Sequence, residues 1–479
     1  MGDGTVATLI TFLGYLILLL SIGYWADRKF SKTYKDFVAA GKTLGAWVTA
    51  ISASASAESA WVMLGLSGLG YKEGLAAYWA AFACILGYFI NALWVMAQMR
   101  RQSAESGAIT VSDFIESRVN DKTHSIRILS SLIILFFMTT YVVAQFVGSG
   151  KTLEGMNLLP YKGGVLVGAI IIGVYVLMGG YAAVCWTDLI QGLLMGGVML
   201  MFPIMAIVKA GGLNALVDNL AQQGLLSLAG AGRTFLTWAG IGFVLGQLGI
   251  ALGYPGMPHV IVRFITVKDE LEAKKAAFIS MTWGIIVFFG SVTLGIAGRI
   301  LFPALADPEK ILPIFASTYL HPVIAGVILA AITAAIMSTA DSQLMYAATT
   351  VINDLWLKIT EKKVDQHRLI NITRATIGIL TLIAMGTALL KPRVIFTFVL
   401  YAWGALGAAF TPIILLSLYW KRFNKAGALA SLIIGPLVVT IWHNIPSLAN
   451  ALYELVPAFI LSLLAGIVFS LMLGKKDEM

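Results

Sequence analysis

Charged residues are scarce in this sequence, since Asp, Glu, Lys and Arg together make up only 12% of its 479 residues. A soluble domain carries about 25% charged residues, so the composition excludes a soluble globular protein. The two cysteines, Cys84 and Cys185, both fall in apolar runs, which excludes a disulfide framework. The five histidines show no spacing of the HExxH kind, so the sequence offers no metal-dependent catalytic motif.

Long apolar runs, by contrast, recur along the whole chain, and hydrophobic residues make up 59% of it. Apolar runs of about 18 residues or more indicate a polytopic helical membrane protein. The first run, residues 6–22, has neither the basic leading region nor the cleavage site of a signal peptide, so we interpret it as a spanning helix. We predict thirteen spans, at approximately residues 5–24, 44–69, 75–98, 127–149, 163–180, 183–208, 235–260, 277–300, 322–350, 369–390, 395–419, 425–443 and 450–473.

Lysines and arginines are concentrated in alternate loops between these spans. The richer set of loops includes Arg28, Lys29, Arg100 and Arg263, whereas the opposite set holds fewer than half as many basic residues. The positive-inside rule places the basic loops in the cytoplasm. We expect a multi-pass protein of the inner (plasma) membrane, with its N-terminus outside and its C-terminus inside. Topology therefore explains the net charge of +9, and no nucleic-acid partner is implied.

Two predicted spans carry signals for an interrupted helix. The second contains ISASASAESAWVMLGLSG (51–68), which is crowded with serine and glycine. In the seventh, Gly253, Pro255, Gly256 and Pro258 lie close together, and proline removes a backbone donor and clashes with the preceding turn. Close helix packing by small residues is the simpler explanation of either segment alone. Interruptions at matched positions five helices apart instead predict inverted repeats with an ion and solute site near the midplane.

Three carboxylates fall inside predicted spans, namely Glu58, Asp188 and Asp341. A charge at the bilayer centre costs about 2.5–3.5 kcal/mol on insertion scales, so such residues usually face a cavity and serve an ion or substrate. Near Asp341, the carbonyl of Ala335 and the hydroxyls of Ser338 and Thr339 fall on neighbouring helical turns and can converge on a cation. Hydroxyls can also bond back to their own helix. For Asp188, a role at the start of its helix is equally open.

Six segments of the chain together resemble the sodium/solute symporter family, and within it the sodium/proline symporters most closely. The resemblance covers nearly the full length, and the WTD, PH-x3-RF and MST elements are specific in combination. The segments are SASASAESAWVMLGL (52–66), FIESRVNDK (114–122), GGYAAVCWTDLIQ (179–191), LGYPGMPHVIVRF (252–264), AAIMSTADSQLM (334–345) and YAWGALGAAFTPIIL (401–415). The resemblance implies an all-α integral membrane fold of the LeuT-like type, with two inverted five-helix repeats.

The resemblance also implies how the chain is divided and what it does. A single transporter domain over residues 1–479 would comprise an additional helix and loop (1–43), a first repeat (44–208), a second repeat (235–420) and two further helices (421–479). Such a protein is a secondary active symporter, which uses the inward sodium gradient to take up a small organic solute by alternating access. We expect an amino acid such as proline as solute, Na⁺ as coupling ion, no cofactor and no enzymatic activity.

Other solutes and other protein classes stay open at this point. Sodium- or proton-coupled uptake of a monocarboxylate is one alternative, and Gln145 and Gln247 keep a sugar open. A membrane sensor or enzyme is disfavoured, because the sequence contains no soluble output domain and no pairing of a nucleophile with a base.

The family's functional positions fall on particular residues of this chain. The implied sodium site consists of the carbonyl oxygens of Ala55, Glu58 and Ala335 and the hydroxyls of Ser338 and Thr339. A possible second ion would lie at Asp188, Asp341 and Ser342, with Ser338 shared. The solute would lie between the two interruptions, near Ser59, Trp61, Gly65, Tyr141, Tyr254 and Pro258.

Three positions depart from the pattern of the sodium/proline symporters. Those proteins carry an Asp where this chain has Ala57, an apolar residue at the position of Glu58, and a Trp where this chain has Ile250. We hypothesise that Glu58 either restores the missing acid from a neighbouring turn or carries a proton, in place of sodium or alongside it.

Overall fold

Helices make up nearly all of the regular structure. A computed structural model describes residues 3–30, 33–360, 364–390 and 394–473, and regular structure within these ranges is helical apart from one isolated bridge between Leu44 and Val267. The all-α prediction is therefore confirmed. The two chain ends, residues 1–2 and 474–479, for which we predicted opposite sides of the membrane, lie outside the described residues.

Within the described ranges, twelve helical stretches are long and apolar enough to cross a membrane. One of them, Ala46–Ser106, is 61 residues long and folds back on itself, because the Tyr88 hydroxyl donates to Glu58, 30 residues earlier. A straight helix would hold those two residues about 45 Å apart. The reversal lies at Gly74, whose φ of 59° suits glycine. The described residues therefore form thirteen crossings, as the sequence predicts.

We number the crossings in chain order. They are crossing 1 (Asp3–Phe30), crossing 2 (Ala46–Ala60, Trp61–Leu66 and Ser67–Glu73), crossing 3 (Tyr78–Ile90, Asn91–Val95 and Met96–Ser106), crossing 4 (Ser125–Gly155), crossing 5 (Tyr161–Met178), crossing 6 (Tyr181–Lys209), crossing 7 (Trp238–Gly249, Ile250–Gly256 and Pro258–Thr266), crossing 8 (Glu270–Leu301), crossing 9 (Pro322–Thr360), crossing 10 (Gln366–Leu390), crossing 11 (Ile395–Tyr419), crossing 12 (Lys425–His443) and crossing 13 (Leu455–Leu473). Short helices between crossings include Tyr34–Ala39, Val111–Arg118, Gly212–Gln222, Ile311–Tyr319 and Pro446–Ala449. Several crossings extend beyond the predicted spans, because hydropathy marks only the apolar part of a helix.

Both predicted interruptions are present. In crossing 2, Ser59 leaves helical geometry with φ 58° and ψ −176°, and the chain then continues through the π-helical turn Trp61–Leu66. In crossing 7, the tight 3₁₀ turn Ile250–Gly256 is followed by the extended residue Met257, and the helix restarts at Pro258. Proline suits this restart, because the first position of a helix needs no backbone donor.

Hydrogen bonds and an ion pair connect both ends of crossing 2 to crossing 7 or to the segment before it. At the face where crossing 2 begins, here called the basic face, Lys268 N donates to Leu44 O (2.9 Å) and Leu44 N donates to Thr266 O (3.4 Å). At the opposite face, Arg233 Nη1 lies 2.8 Å from a carboxylate oxygen of Glu73, the last residue of crossing 2. The start of crossing 2 is thus joined to the end of crossing 7, and its end to the segment before crossing 7.

The interior of the bundle is built around crossings 9 and 11. Their apolar segments are 78% and 83% buried, against 22% for crossing 1 and 33% for crossings 12 and 13. Crossing 9 packs against crossing 2, and crossing 11 packs against the interrupted part of crossing 7. The polar residues of crossing 9 therefore lie opposite the interruption of crossing 2 rather than facing lipid.

Candidate ion and solute site

The predicted sodium ligands of crossings 2 and 9 meet in the protein interior. Ser338 Oγ donates to the carbonyl of Ala55 at 3.0 Å and lies 3.3 Å from the carbonyl of Ala335. Thr339 Oγ1 lies 3.4 Å from the Ala55 carbonyl and donates to the carbonyl of Ser56 at 3.0 Å. All these residues are fully buried. Four of the five predicted ligands, Ala55, Ala335, Ser338 and Thr339, are thus brought together.

The interruption at Ser59 explains why these carbonyls are available. The last four carbonyls of a helix segment have no intrahelical donor, and here that segment ends in the protein interior. Hydroxyls can act as donors or acceptors, so Ser338 and Thr339 can rotate from the carbonyls towards a cation. Unwound carbonyls of this kind coordinate Na⁺ in discontinuous membrane helices.

Glu58 points away from this group of oxygens. Its carboxylate accepts hydrogen bonds from the Tyr88 hydroxyl of crossing 3 and from Trp283 Nε1 of crossing 8, both at 3.2 Å, and it is fully buried. Its carbonyl accepts from the backbone N–H of Trp61 across the interruption. The ring of Tyr88 also meets Tyr254 edge-on, with centroids 5.2 Å apart. Both side chains that bond the carboxylate are neutral donors, and one of them touches a residue of the predicted solute region.

Asp188, Asp341 and Ser342, predicted for a second ion, also lie together. Ser342 Oγ donates to Asp341 Oδ1 at 3.2 Å. Asp188 Oδ2 accepts from the hydroxyls of Ser52 at 2.6 Å and Ser56 at 3.3 Å. Ser56 Oγ also lies 3.0 Å from Ser342 Oγ, so the serines of crossing 2 contact the carboxylate of crossing 6 and the hydroxyl of Ser342 on crossing 9.

A buried guanidinium lies within this second group. Arg263 Nη2 donates to Asp188 Oδ2 at 2.9 Å and to Ser342 Oγ at 2.5 Å, and Arg263 Nε donates to Ser52 Oγ at 2.9 Å. The prediction that Arg263 lies in a cytoplasmic loop is wrong, because crossing 7 continues to Thr266 and carries the side chain into the interior. The sequence did contain a signal for this position. Arg263 follows the break in the same segment, and the intramembrane carboxylate of Asp188 had no predicted cationic partner, but a hydropathy profile does not pair the two.

A narrow cavity of about 10 Å³, roughly the space of one water molecule, lies beside the two interruptions. Trp61, Tyr141 and Tyr254, which we predict to lie near the solute, line it together with Ala57, Ile250, Val399, Leu400 and Trp403. The hydroxyls of Ser59 and Tyr141 are 3.3 Å apart at its edge. Gly65 and Pro258 do not line it. Gly65 instead packs against the backbone of Phe396, which a Cβ would approach to 3.3 Å, and Pro258 restarts crossing 7.

Trp403 of crossing 11 supplies the aromatic wall that the sequence lacks at Ile250. Its indole N–H donates to the carbonyl of Ile250 at 3.1 Å, and its ring meets Tyr254 edge-on with centroids 4.7 Å apart. Gly253 permits this contact, because a Cβ there would overlap the indole nitrogen. Trp403 belongs to one of the segments that carry the family resemblance, but no sequence pattern assigned that residue to the site.

Gln145 contributes to the interruption itself. Its side-chain carbonyl accepts from Ala60 N at 3.0 Å, while Ser59 Oγ accepts from Trp61 N at 3.0 Å. Gln145 thereby satisfies a backbone donor at the break, and Ser59 Oγ gives the N–H of Trp61 an acceptor in addition to the carbonyl of Glu58. The side-chain oxygen of Gln145 is therefore engaged with the backbone, whereas its amide nitrogen has no partner among the described residues and can still donate to a solute.

The chain matches proteins of known function along most of its length. The model of the Sodium:solute symporter family matches residues 37–435. The Osmoregulated proline transporter OpuE of Bacillus subtilis is 36% identical over 472 residues, covering 97% of this chain and 94% of that protein. A Sodium/proline symporter of Staphylococcus aureus is 33% identical over 487 residues, covering 99% of this chain and 94% of that protein.

Solved structures share the fold. A structure of a Na⁺-coupled sialic acid symporter in a substrate-bound outward-open state superimposes with a TM-score of 0.81 over 97% of both chains, at 20% identity. MhsT in complex with L-phenylalanine gives 0.55, covering 88% of this chain and 97% of MhsT, and Mhp1 in a closed conformation gives 0.56, covering 91% and 95%, each at 14% identity. The predicted LeuT-like fold is confirmed by these similarities.

Proposed function

Because this chain belongs to the sodium:solute symporter family, and is therefore a sodium-coupled solute transporter and not an enzyme, we propose that the solute it takes up is proline. The two curated relatives that transport proline support this choice. The observation that carries the proposal is the narrow apolar cavity that Trp61, Tyr254 and Trp403 line beside the converging oxygens. Its apolar walls suit a small solute with an apolar ring, which would enter as the two interrupted helices move apart.

Sodium would bind where the two helices meet. The carbonyls of Ala55 and Ala335 and the hydroxyls of Ser338 and Thr339 form the core of this site, with the carbonyl of Glu58 as a further ligand. The observed convergence of the first four supports the assignment. A second cation would lie at Asp188, Asp341 and Ser342, where two buried carboxylates face the single guanidinium of Arg263.

Proline would lie between the two interrupted helices. Its ring would pack against Trp61, Tyr254 and Trp403, and its carboxylate would face the start of the second half of crossing 2. The positive end of a helix dipole favours a negative group there. The hydroxyls of Ser59 and Tyr141, 3.3 Å apart, lie close enough to reorient towards that carboxylate.

The protein would lie in the plasma membrane with its basic face in the cytoplasm. In this orientation the ties through Leu44 and Lys268 close the inner side, and the pair of Glu73 and Arg233 closes the outer side. Alternating access would open these two closures in turn while the site between them stays intact.

Ligand-dependent stabilisation tests both the ion and the solute. We expect proline with Na⁺ to raise the melting temperature of the purified protein more than proline with K⁺. A ligand at about 100 times its Kd stabilises the native state by about 2.7 kcal/mol. The screen compares proline, other amino acids, monocarboxylates and sugars, and sodium-driven uptake into proteoliposomes confirms each hit. Stabilisation by a monocarboxylate or a sugar without any by proline would reject proline as the solute, and no Na⁺ effect with any solute would contradict sodium coupling.

Glu58 would carry a proton alongside sodium. Its isolation among neutral donors supports this role, because the carboxyl can change charge without breaking an ion pair. Only the protonated carboxyl can deliver a proton, so we expect wild-type uptake to fall as the pH rises from 5 to 9. Glu58→Gln keeps the size of the side chain and removes its titration, so its uptake should vary much less over that range.

The measurement is initial proline uptake at fixed Na⁺ and at several pH values in proteoliposomes. Glu270→Gln is the matched control, since Glu270 is exposed at the start of crossing 8. The same pH profile in wild type and Glu58→Gln would remove the proton from the mechanism and leave sodium coupling untouched.

A further inference from the structure

A large cavity opens on the basic face, away from the ion and solute site. It is an open cavity of about 610 Å³ between the end of crossing 3, the short helix Val111–Arg118 and the end of crossing 11. Neither the family match nor the transport mechanism gives this cavity a role.

The cavity is lined by three cationic side chains from three separate elements. Arg101 belongs to crossing 3, Arg118 ends the short helix, and Lys421 follows crossing 11. Glu105 is the carboxylate among the lining residues, so the lining carries a net positive charge. Arg118 Nε donates to the carbonyl of Ser417 at 2.6 Å, which positions this guanidinium at the cavity. A planar guanidinium matches the geometry of a phosphate group.

The same cavity borders the lipid-facing surface. Its lining includes Tyr419, whose hydroxyl donates to the carbonyl of Trp94 on crossing 3 at 2.6 Å. Tyr419 and Trp94 are 52% and 46% exposed, and neighbouring Leu93 is 56% exposed. Aromatic residues of this kind mark the boundary between headgroups and acyl chains. The cationic lining thus lies next to a surface on which an acyl chain can pack.

We propose that this cavity binds the headgroup of an anionic phospholipid. The phosphate lies among Arg101, Arg118 and Lys421, and the acyl chains run along Leu93 and Trp94. Basic pockets between helices recognise lipid headgroups in this way. The lipid would come from the leaflet at the basic face, and its headgroup would bridge crossing 3, the short helix Val111–Arg118 and the segment after crossing 11.

The test compares lipids on the full-length protein in detergent. Thermal stability is measured while phosphatidylglycerol or phosphatidylcholine is added, and inorganic phosphate is added in a parallel series. We expect phosphatidylglycerol to stabilise the wild type and phosphatidylcholine and phosphate to do so weakly. In the triple variant Arg101→Gln, Arg118→Gln and Lys421→Gln, the apparent affinity for phosphatidylglycerol should fall by about tenfold or more.

The control variant removes the same charge from the same face outside the cavity, by Arg28→Gln, Lys122→Gln and Lys274→Gln. This control should respond to phosphatidylglycerol as the wild type does. If both triple variants lose the same affinity for phosphatidylglycerol, the lipid responds to the general surface charge, and the proposed binding site is rejected. Equal stabilisation by inorganic phosphate would overturn the lipid as its ligand. If Arg101→Gln alone is stable and already weakens the lipid response, folding defects of the triple variant are excluded as the cause.

Discussion

Replacing Ser338 and Thr339 with alanine should abolish the sodium dependence of proline uptake. Both hydroxyls lie within 3.4 Å of the Ala55 carbonyl, and alanine leaves neither oxygen for a cation. Each interaction with a charged group is worth about 1.5–3 kcal/mol, so losing two should lower the Na⁺ affinity at least about a hundredfold. Uptake into proteoliposomes as a function of Na⁺ concentration measures this change directly.

Crossing 9 provides matched controls for this experiment. Thr349 and Thr350 are also buried, but their hydroxyls bond back to the carbonyls of Met345 and Tyr346 of their own helix. Replacing them with alanine should leave the Na⁺ dependence unchanged. Sodium dependence that survives in the Ser338→Ala, Thr339→Ala variant would place the coupling ion elsewhere.

Replacing Arg263 with leucine should destabilise the protein strongly. The substitution leaves the carboxylate of Asp188 fully buried with its ionic partner removed. Breaking a buried pair in this way costs about 3–5 kcal/mol, whereas an exposed pair contributes about 0–1 kcal/mol. The measurements are the melting temperature and the yield of monodisperse protein after extraction in detergent.

A double variant tests whether the pair itself is responsible. Replacing Asp188 and Arg263 together with leucine removes both charges, and apolar replacement of a buried pair is often neutral. We expect the double variant to regain part of the stability lost by Arg263→Leu alone. Lys274→Ala, which breaks an exposed pair with Glu270 on crossing 8, is the control and should lie close to wild type. A wild-type melting temperature for Arg263→Leu would contradict the prediction.

The architecture could be predicted because it follows from local patterns. Apolar runs mark the crossings, and the glycine and proline residues around Tyr254 mark the break in crossing 7. The break in crossing 2 was harder, since Ser59 adopts a positive φ that serine rarely takes. Its position became predictable because serine and glycine accumulate there and a second break lies five helices later.

The site could be predicted only in part, because contacts between distant helices depend on rotation about each helix axis. Ala55, Ser338 and Thr339 followed from the motifs. The side chain of Glu58 could have faced either the ion or crossings 3 and 8, and nothing near it in sequence decides between them. The prediction placed Arg263 in a loop because it ended crossing 7 at residue 260, six residues before the helix ends at Thr266. Trp403 contacts Tyr254 from crossing 11, and a contact between distant crossings cannot be predicted from a local sequence pattern.

The long sequence separation between the ion ligands has a consequence for how the protein is made. Ala55 and Ser338 are 283 residues apart. At a synthesis rate of about 5–20 residues per second, crossing 9 follows crossing 2 into the membrane by about 15–60 s. During that time the interrupted helix holds its unpaired carbonyls and serines without their partner. Until crossing 9 is inserted, the polar groups of crossing 2 must therefore pack against the first half of the protein or against the insertion machinery.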